Sequence, residues 1–123
     1  MAGSATTFTE TIVGSVKEIK CEWTSDSVTG AVSGATTEYY NGKILGLATV
    51  PGTGGDQPAD NYNVSAIDRS SLDVLMSGGA TRDDTNTEYV LSTSLGAVVN
   101  SQLTVTIDTA GNSNTGVVYI YIR

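Results

Sequence analysis

Val16-Lys-Glu-Ile-Lys-Cys-Glu-Trp23 decides the class of fold, because its apolar members Ile19, Cys21 and Trp23 fall on every second residue while Lys20 and Glu22 fill the gaps. That period of two is the mark of a half-buried strand, with one face to a core and one to water. The same rule recurs along the chain. Tyr62, Val64 and Ala66 alternate in Tyr62–Ile67, and Leu103, Val105 and Ile107 alternate in the closing region. Lys43-Ile-Leu-Gly-Leu-Ala-Thr-Val50 and Val117-Val-Tyr-Ile-Tyr-Ile122 are apolar on both faces, as suits strands covered on each side or lying at an interface. Glu88–Ser92 reads as a further strand, and Leu72–Met76 as a short strand or a helical turn.

Between these runs lie turn formers. Pro51–Asp60 holds both prolines and three glycines, and Ser77–Asn86 is a second long polar loop. Asn41-Gly42 is a strong hairpin signal and predicts that Thr36–Tyr40 pairs with Lys43–Leu47. A turn over Ala110–Thr115 predicts that the strands around Leu103–Ile107 and Val117–Ile122 pair with each other. Val, Ile and Thr make up nearly a third of the 123 residues, and no helical pattern exceeds about two turns. The expected fold is all-β, a single antiparallel β-sandwich of about 7–8 strands, jelly-roll-like or immunoglobulin-like. It should occupy residues 13–123. Residues 1–12, rich in Thr, Ala, Gly and Ser with Phe8 as their large apolar group, read as a flexible N-terminal arm.

The chemistry is sparse. There is no histidine, so Ser-His-Asp, Cys-His and histidine-ligated metal arrangements are excluded. Cys21 is alone, which excludes an internal disulfide and a multi-cysteine metal site. The carboxylates Asp56, Asp60, Asp68, Asp73, Asp83 and Asp84 read as solvated turn formers. Asp83, Asp84, Asn86 and Glu88 could offer oxygens to calcium, but their spacing matches no EF-hand. Gly52, Gly54 and Gly55 lack the Lys-Ser/Thr of a phosphate loop. The expectation is no catalytic residue, no cofactor and no metal.

Net charge is −7, and the six basic residues are scattered, which disfavours direct contact with nucleic acid. No apolar run approaches a membrane span and no secretory signal is encoded, so folding in a cytoplasm without membrane contact is expected. Surplus apolar surface is what remains. Tyr39 and Tyr40 are adjacent and must point to opposite faces of a strand, so one is exposed. Tyr119 and Tyr121 belong either to a two-sided core or to an oligomer contact. Trp23 shares a face with Ile19 and Cys21, so packing accounts for it better than a sugar platform. The candidate protein-interface residues are Phe8, Tyr39, Tyr40, Tyr119 and Tyr121.

Six segments, in order and spacing, resemble a family of small proteins encoded among the head genes of tailed bacteriophages. They are Thr37-Glu-Tyr-Tyr-Asn-Gly-Lys-Ile44, Thr49-Val-Pro-Gly52, Asp60-Asn-Tyr-Asn-Val64, Asp73-Val-Leu75, Ser94-Leu-Gly-Ala-Val98 and Gly116-Val-Val-Tyr-Ile-Tyr-Ile-Arg123. The resemblance implies a virion structural protein without enzymatic activity, a decoration or cement protein that binds the major capsid protein on the shell exterior as a dimer or trimer. The alternative is a glycan-binding or adaptor module of a phage tail or fibre, which the tyrosines and long loops would suit.

Overall fold

In a computed structural model that describes residues 5–123, the alternating segments become strands of two facing antiparallel sheets. The strands in chain order are β1 (Ala5–Val13), β2 (Val16–Thr24), β3 (Val32–Ala35), β4 (Tyr40–Pro51), β5 (Asn63–Ile67), β6 (Glu88–Leu91), β7 (Ala97–Ser101), β8 (Thr104–Asp108) and β9 (Thr115–Ile122). The larger sheet runs β1-β2-β9-β4-β6, with β7 beside the first part of β4. The smaller runs β3-β8-β5. The all-β sandwich is the architecture the period-two pattern implied.

The core is the set of residues that the pleat turns inward from both sheets. Ile19, Cys21 and Trp23 of β2 are opposite Ile120, Val118 and Gly116 of β9. Ile44 and Leu47 of β4 extend the row, and Ile122 closes it. From the other sheet come Val32, Val64, Ala66, Val105 and Ile107. Burying side chains of this size contributes roughly 1.5–3 kcal/mol each against chain entropy. Trp23 needs room that a glycine provides: a Cβ on Gly116 would lie 2.5 Å from the indole ring. Tyr62 packs tilted against the same ring, centroids 5.6 Å apart.

Three expectations are corrected. First, the N-terminal arm is not loose over residues 5–12. It forms most of β1, which pairs with β2 residue for residue from Ala5↔Thr24 to Val13↔Val16. Residues 1–4 of that expected arm lie outside the described residues. The threonines that made the segment look loop-like are good strand formers, and Phe8 alternates inward with Thr6 and Glu10.

Second, Asn41-Gly42 is not a hairpin turn. Both residues lie inside β4, where Tyr40 faces Ser101 and Gly42 faces Val98 across an irregular register. Gly42 has φ +133°, and a Cβ there would strike the carbonyl of Arg123. The glycine serves close approach of two backbones rather than chain reversal. Third, β8 and β9 do not pair. β8 lies between β3 and β5 while β9 lies between β2 and β4, so Ala110–Thr115 carries the chain from one sheet to the other.

Leu72–Met76 is neither strand nor helix. The Asp73 carboxylate accepts the N–H groups of Ala66, Leu75 and Ser77, at 3.0–3.1 Å, and pins a turn that buries Val74 and Leu75. Among the described residues no helix is long and apolar enough to cross a membrane.

Candidate functional site

Of the five candidate residues, four separate onto two surfaces and the fifth, Tyr40, is buried. The first is the outer face of the larger sheet. Because inward residues of β9 alternate with outward ones, Val117, Tyr119 and Tyr121 project from the side opposite the core. The two tyrosine rings stack with centroids 6.3 Å apart and planes 2° from parallel. Register then adds residues that local pattern could not place there. Ala48 of β4 lies opposite both Tyr119 and Tyr89, and Gly46 lies opposite both Tyr121 and Leu91. Tyr89 fits because Gly46 has no side chain: a Cβ there would collide with the phenol.

Tyr89 and Leu91 are 56% and 63% exposed, a large apolar area for two residues of a four-residue strand. The surface is therefore a strip of Tyr89, Leu91, Tyr119, Tyr121 and Val117 over a floor of Ala48 and Gly46. On its β2 side run Glu18, Lys20 and Glu22, opposite Tyr121, Tyr119 and Val117. Lys20 and Glu22 form an exposed pair at 3.7 Å, a contact that adds little stability in water. Partial burial, with Glu18 and the neighbouring phenols Tyr119 and Tyr89, raises the pKa of Tyr121, so it stays a neutral donor at physiological pH. An aromatic centre with a charged margin is the usual anatomy of a protein-binding patch.

The second surface is a groove of roughly 600 Å³ between β1 and the segment before β4, lined by Phe8, Glu10, Ile12, Lys17, Tyr39 and Tyr40 among others. The Tyr39/Tyr40 pair divides, although Tyr39 lies just ahead of β4 rather than in it: Tyr39 is 64% exposed and Tyr40 only 4%. Tyr40 is thus not a surface residue. Its phenol donates to Glu10 at 2.6 Å, and Glu10 also accepts from the Thr37 hydroxyl at 2.7 Å and the N–H groups of Thr37 and Glu38 at 3.1 Å. Burial alone would raise the Glu10 pKa, but these bonds from Tyr40, Thr37 and Glu38 together lower it. Burial and the adjacent Glu10 carboxylate push the Tyr40 phenol up. Phe8 is half-buried against the core and against Gly34.

The acidic loop residues regroup. Asp60 joins Asp83 and Asp84, with one carboxylate oxygen from each within 4.8 Å of the others. Protein donors already engage two of them. Asp83 accepts from the N–H groups of Thr85 and Asn86 and from the Thr85 hydroxyl, and Asp84 accepts from Gln57. Glu88 instead accepts from the N–H of Asp83 and lies 3.5 Å from Arg82. These are the bonds of a self-capped polar loop.

Cys21 is fully buried, and burial together with Glu22 pushes its thiol up to about 12, far from a reactive thiolate. Comparison with protein families, curated proteins and solved structures finds no match.

Proposed function

We propose that the chain is a docking module of a viral shell: a decoration or cement protein that binds the major capsid protein on the capsid exterior. The observation that carries the docking part is the tyrosine strip. Tyr89, Tyr119 and Tyr121 are amphipathic, lose little side-chain entropy on binding, and lie on a rigid sheet rather than a loop. The viral part comes from the six resembling segments, the last of which supplies Tyr119 and Tyr121. A net charge of −7 keeps such a module soluble while its apolar strip awaits a partner.

Cryo-electron microscopy of particles carrying this chain tests the reading. Many copies spread over the shell are expected, each with the outer face of its larger sheet against the major capsid protein. A chain absent from the shell, or bound with that face open to solvent, overturns it. In a pull-down on capsid shells, the Tyr89→Ser, Tyr121→Ser double variant should bind at least tenfold more weakly while unfolding at nearly the wild-type temperature.

A second reading, a glycan-binding or adaptor module of a tail or fibre, draws on the same exposed tyrosines, since aromatic faces also stack on sugars. A glycan array that responds to the chain and loses the response in the double variant would favour it.

A further inference from the structure

β1 ends the larger sheet: among the described residues β2 is the one strand it pairs with, while β3 packs against its inner face at Thr6 and Phe8. The turn between them is two residues long, Gly14-Ser15, and the pair that flanks such a turn, Val13 and Val16, is hydrogen bonded. Antiparallel alternation then directs the N–H and C=O groups of Thr6, Phe8, Glu10 and Ile12 away from β2. Among the described residues these groups have no backbone partner outside the hairpin.

Natural sheet edges are blunted by lysine, proline, bulges, short length or an inward-pointing charge. β1 is nine residues long, its register with β2 is unbroken, and it contains neither Lys nor Pro. Its single charge, Glu10, does point inward, but Tyr40, Thr37 and Glu38 of the same chain already satisfy it, so it does not bar a strand from the edge. Ile12 at its far end is 72% exposed.

We infer that this edge pairs with β1 of a second copy, antiparallel about a two-fold axis through Thr9. In that register all nine residues pair. Thr6 meets Ile12, Phe8 meets Glu10, and on the outer face Ala5 meets Val13 and Thr7 meets Thr11, with Thr9 opposite Thr9. The outward-directed groups of residues 6, 8, 10 and 12 then meet their like, which is the condition for hydrogen-bonded pairs. Sliding the strands by two residues sets Glu10 against Glu10 in one direction, and in the other leaves Ile12 and Val13 unpaired with any described residue.

The self-complementary register selects a second copy as the occupant, and charge does not oppose it at the seam. Two chains of net charge −7 repel over most of their surfaces, but this seam presents only uncharged side chains on its outer face and one internally satisfied carboxylate on the other. Threonine pairs are among the favourable cross-strand combinations. A two-fold axis through Thr9 makes one continuous sheet, with both tyrosine strips on the same side. The pairing does not depend on the docking reading, but if that reading holds, the dimer presents two strips to one lattice.

Sedimentation velocity of the purified chain over a concentration series is expected to show a dimer. Thr9→Glu puts two carboxylates opposite each other at the axis, while within each copy the new carboxylate faces Lys20, so the fold is kept and dimerisation weakens at least tenfold. Thr9→Cys tests the register separately. Opposed residues of a non-hydrogen-bonded pair lie about 4.5 Å apart at Cα, within the span of a disulfide. Mild oxidation should therefore link the two copies. Thr7→Cys should not link, because four residues of strand, about 14 Å, separate the two positions 7. A monomer at every concentration, a dimer indifferent to Thr9→Glu, or equal cross-linking at 7 and 9 overturns the inference.

Discussion

Replacing Tyr40 by Phe removes one atom from the bond that fastens β1 to the chain segment ahead of β4. The phenol is 4% exposed and donates to Glu10 at 2.6 Å, a short distance typical of a hydroxyl on a charged acceptor. A net hydrogen bond to a charged group contributes about 1.5–3 kcal/mol. Glu10 retains three other donors, and its side chain is partly open to water, so the loss falls at the lower end, about 1–2 kcal/mol. For a domain of this size that lowers the melting temperature by roughly 4–8 °C.

The loss also carries a pH signature. The Glu10 pKa is lowered in the folded chain, so its contribution is present above the unfolded value of about 4.3 and disappears as pH falls through the lower folded value. The gap between wild type and Tyr40→Phe should be widest at neutral pH and should narrow in acid, once Glu10 is protonated in both. Calorimetry on wild type, Tyr40→Phe, Glu10→Gln and the double variant measures this as a thermodynamic cycle. A gap that stays constant into acid, or single effects that add within about 0.5 kcal/mol, would refute the assignment of the stability to this bond.

Two further outcomes are expected from the core. Gly116→Val should destabilise by at least 1–3 kcal/mol in urea unfolding, because even its Cβ would lie 2.5 Å from the Trp23 ring inside a closed layer, whereas Gly55→Ala, with open space around it, should be near neutral. Cys21 should resist thiol reagents at neutral pH in the folded chain and react fully in denaturant, since it is buried and its thiol is pushed up to about 12; rapid labelling under native conditions would place it elsewhere.

The fold class was legible wherever one face of a strand is wet. Ile19, Cys21 and Trp23, like Leu103, Val105 and Ile107, alternate because β2 and β8 each bury a single face, and the structure buries those residues. What failed was pairing. Asn41-Gly42 carries a turn signal, yet the constraint on Gly42 is the Arg123 carbonyl, some eighty residues away in sequence. Ala110–Thr115 has turn composition, but composition does not distinguish reversal within a sheet from passage between sheets.

The candidate surfaces divide in the same way. Tyr119 and Tyr121 stood out because six apolar residues in a row exceed what one buried face needs. Tyr89 and Leu91 join them only through the register of β6 on β4. Tyr40 was half of an ambiguous pair until its phenol found Glu10, a residue on β1 whose role no local pattern announces.

Between β2 and β4 lies β9, so residues 115–122 sit in the middle of the sheet although they follow all the strands they join. The β1–β2 hairpin can form early from local contacts, and β4 can pair with β6 and β7, but until β9 arrives nothing joins the hairpin to β4. The delay exposes the very edges that later find partners. Deletion of Thr115–Ile122 should therefore leave the β1–β2 hairpin unjoined to the rest of the larger sheet and yield insoluble chain rather than a smaller domain.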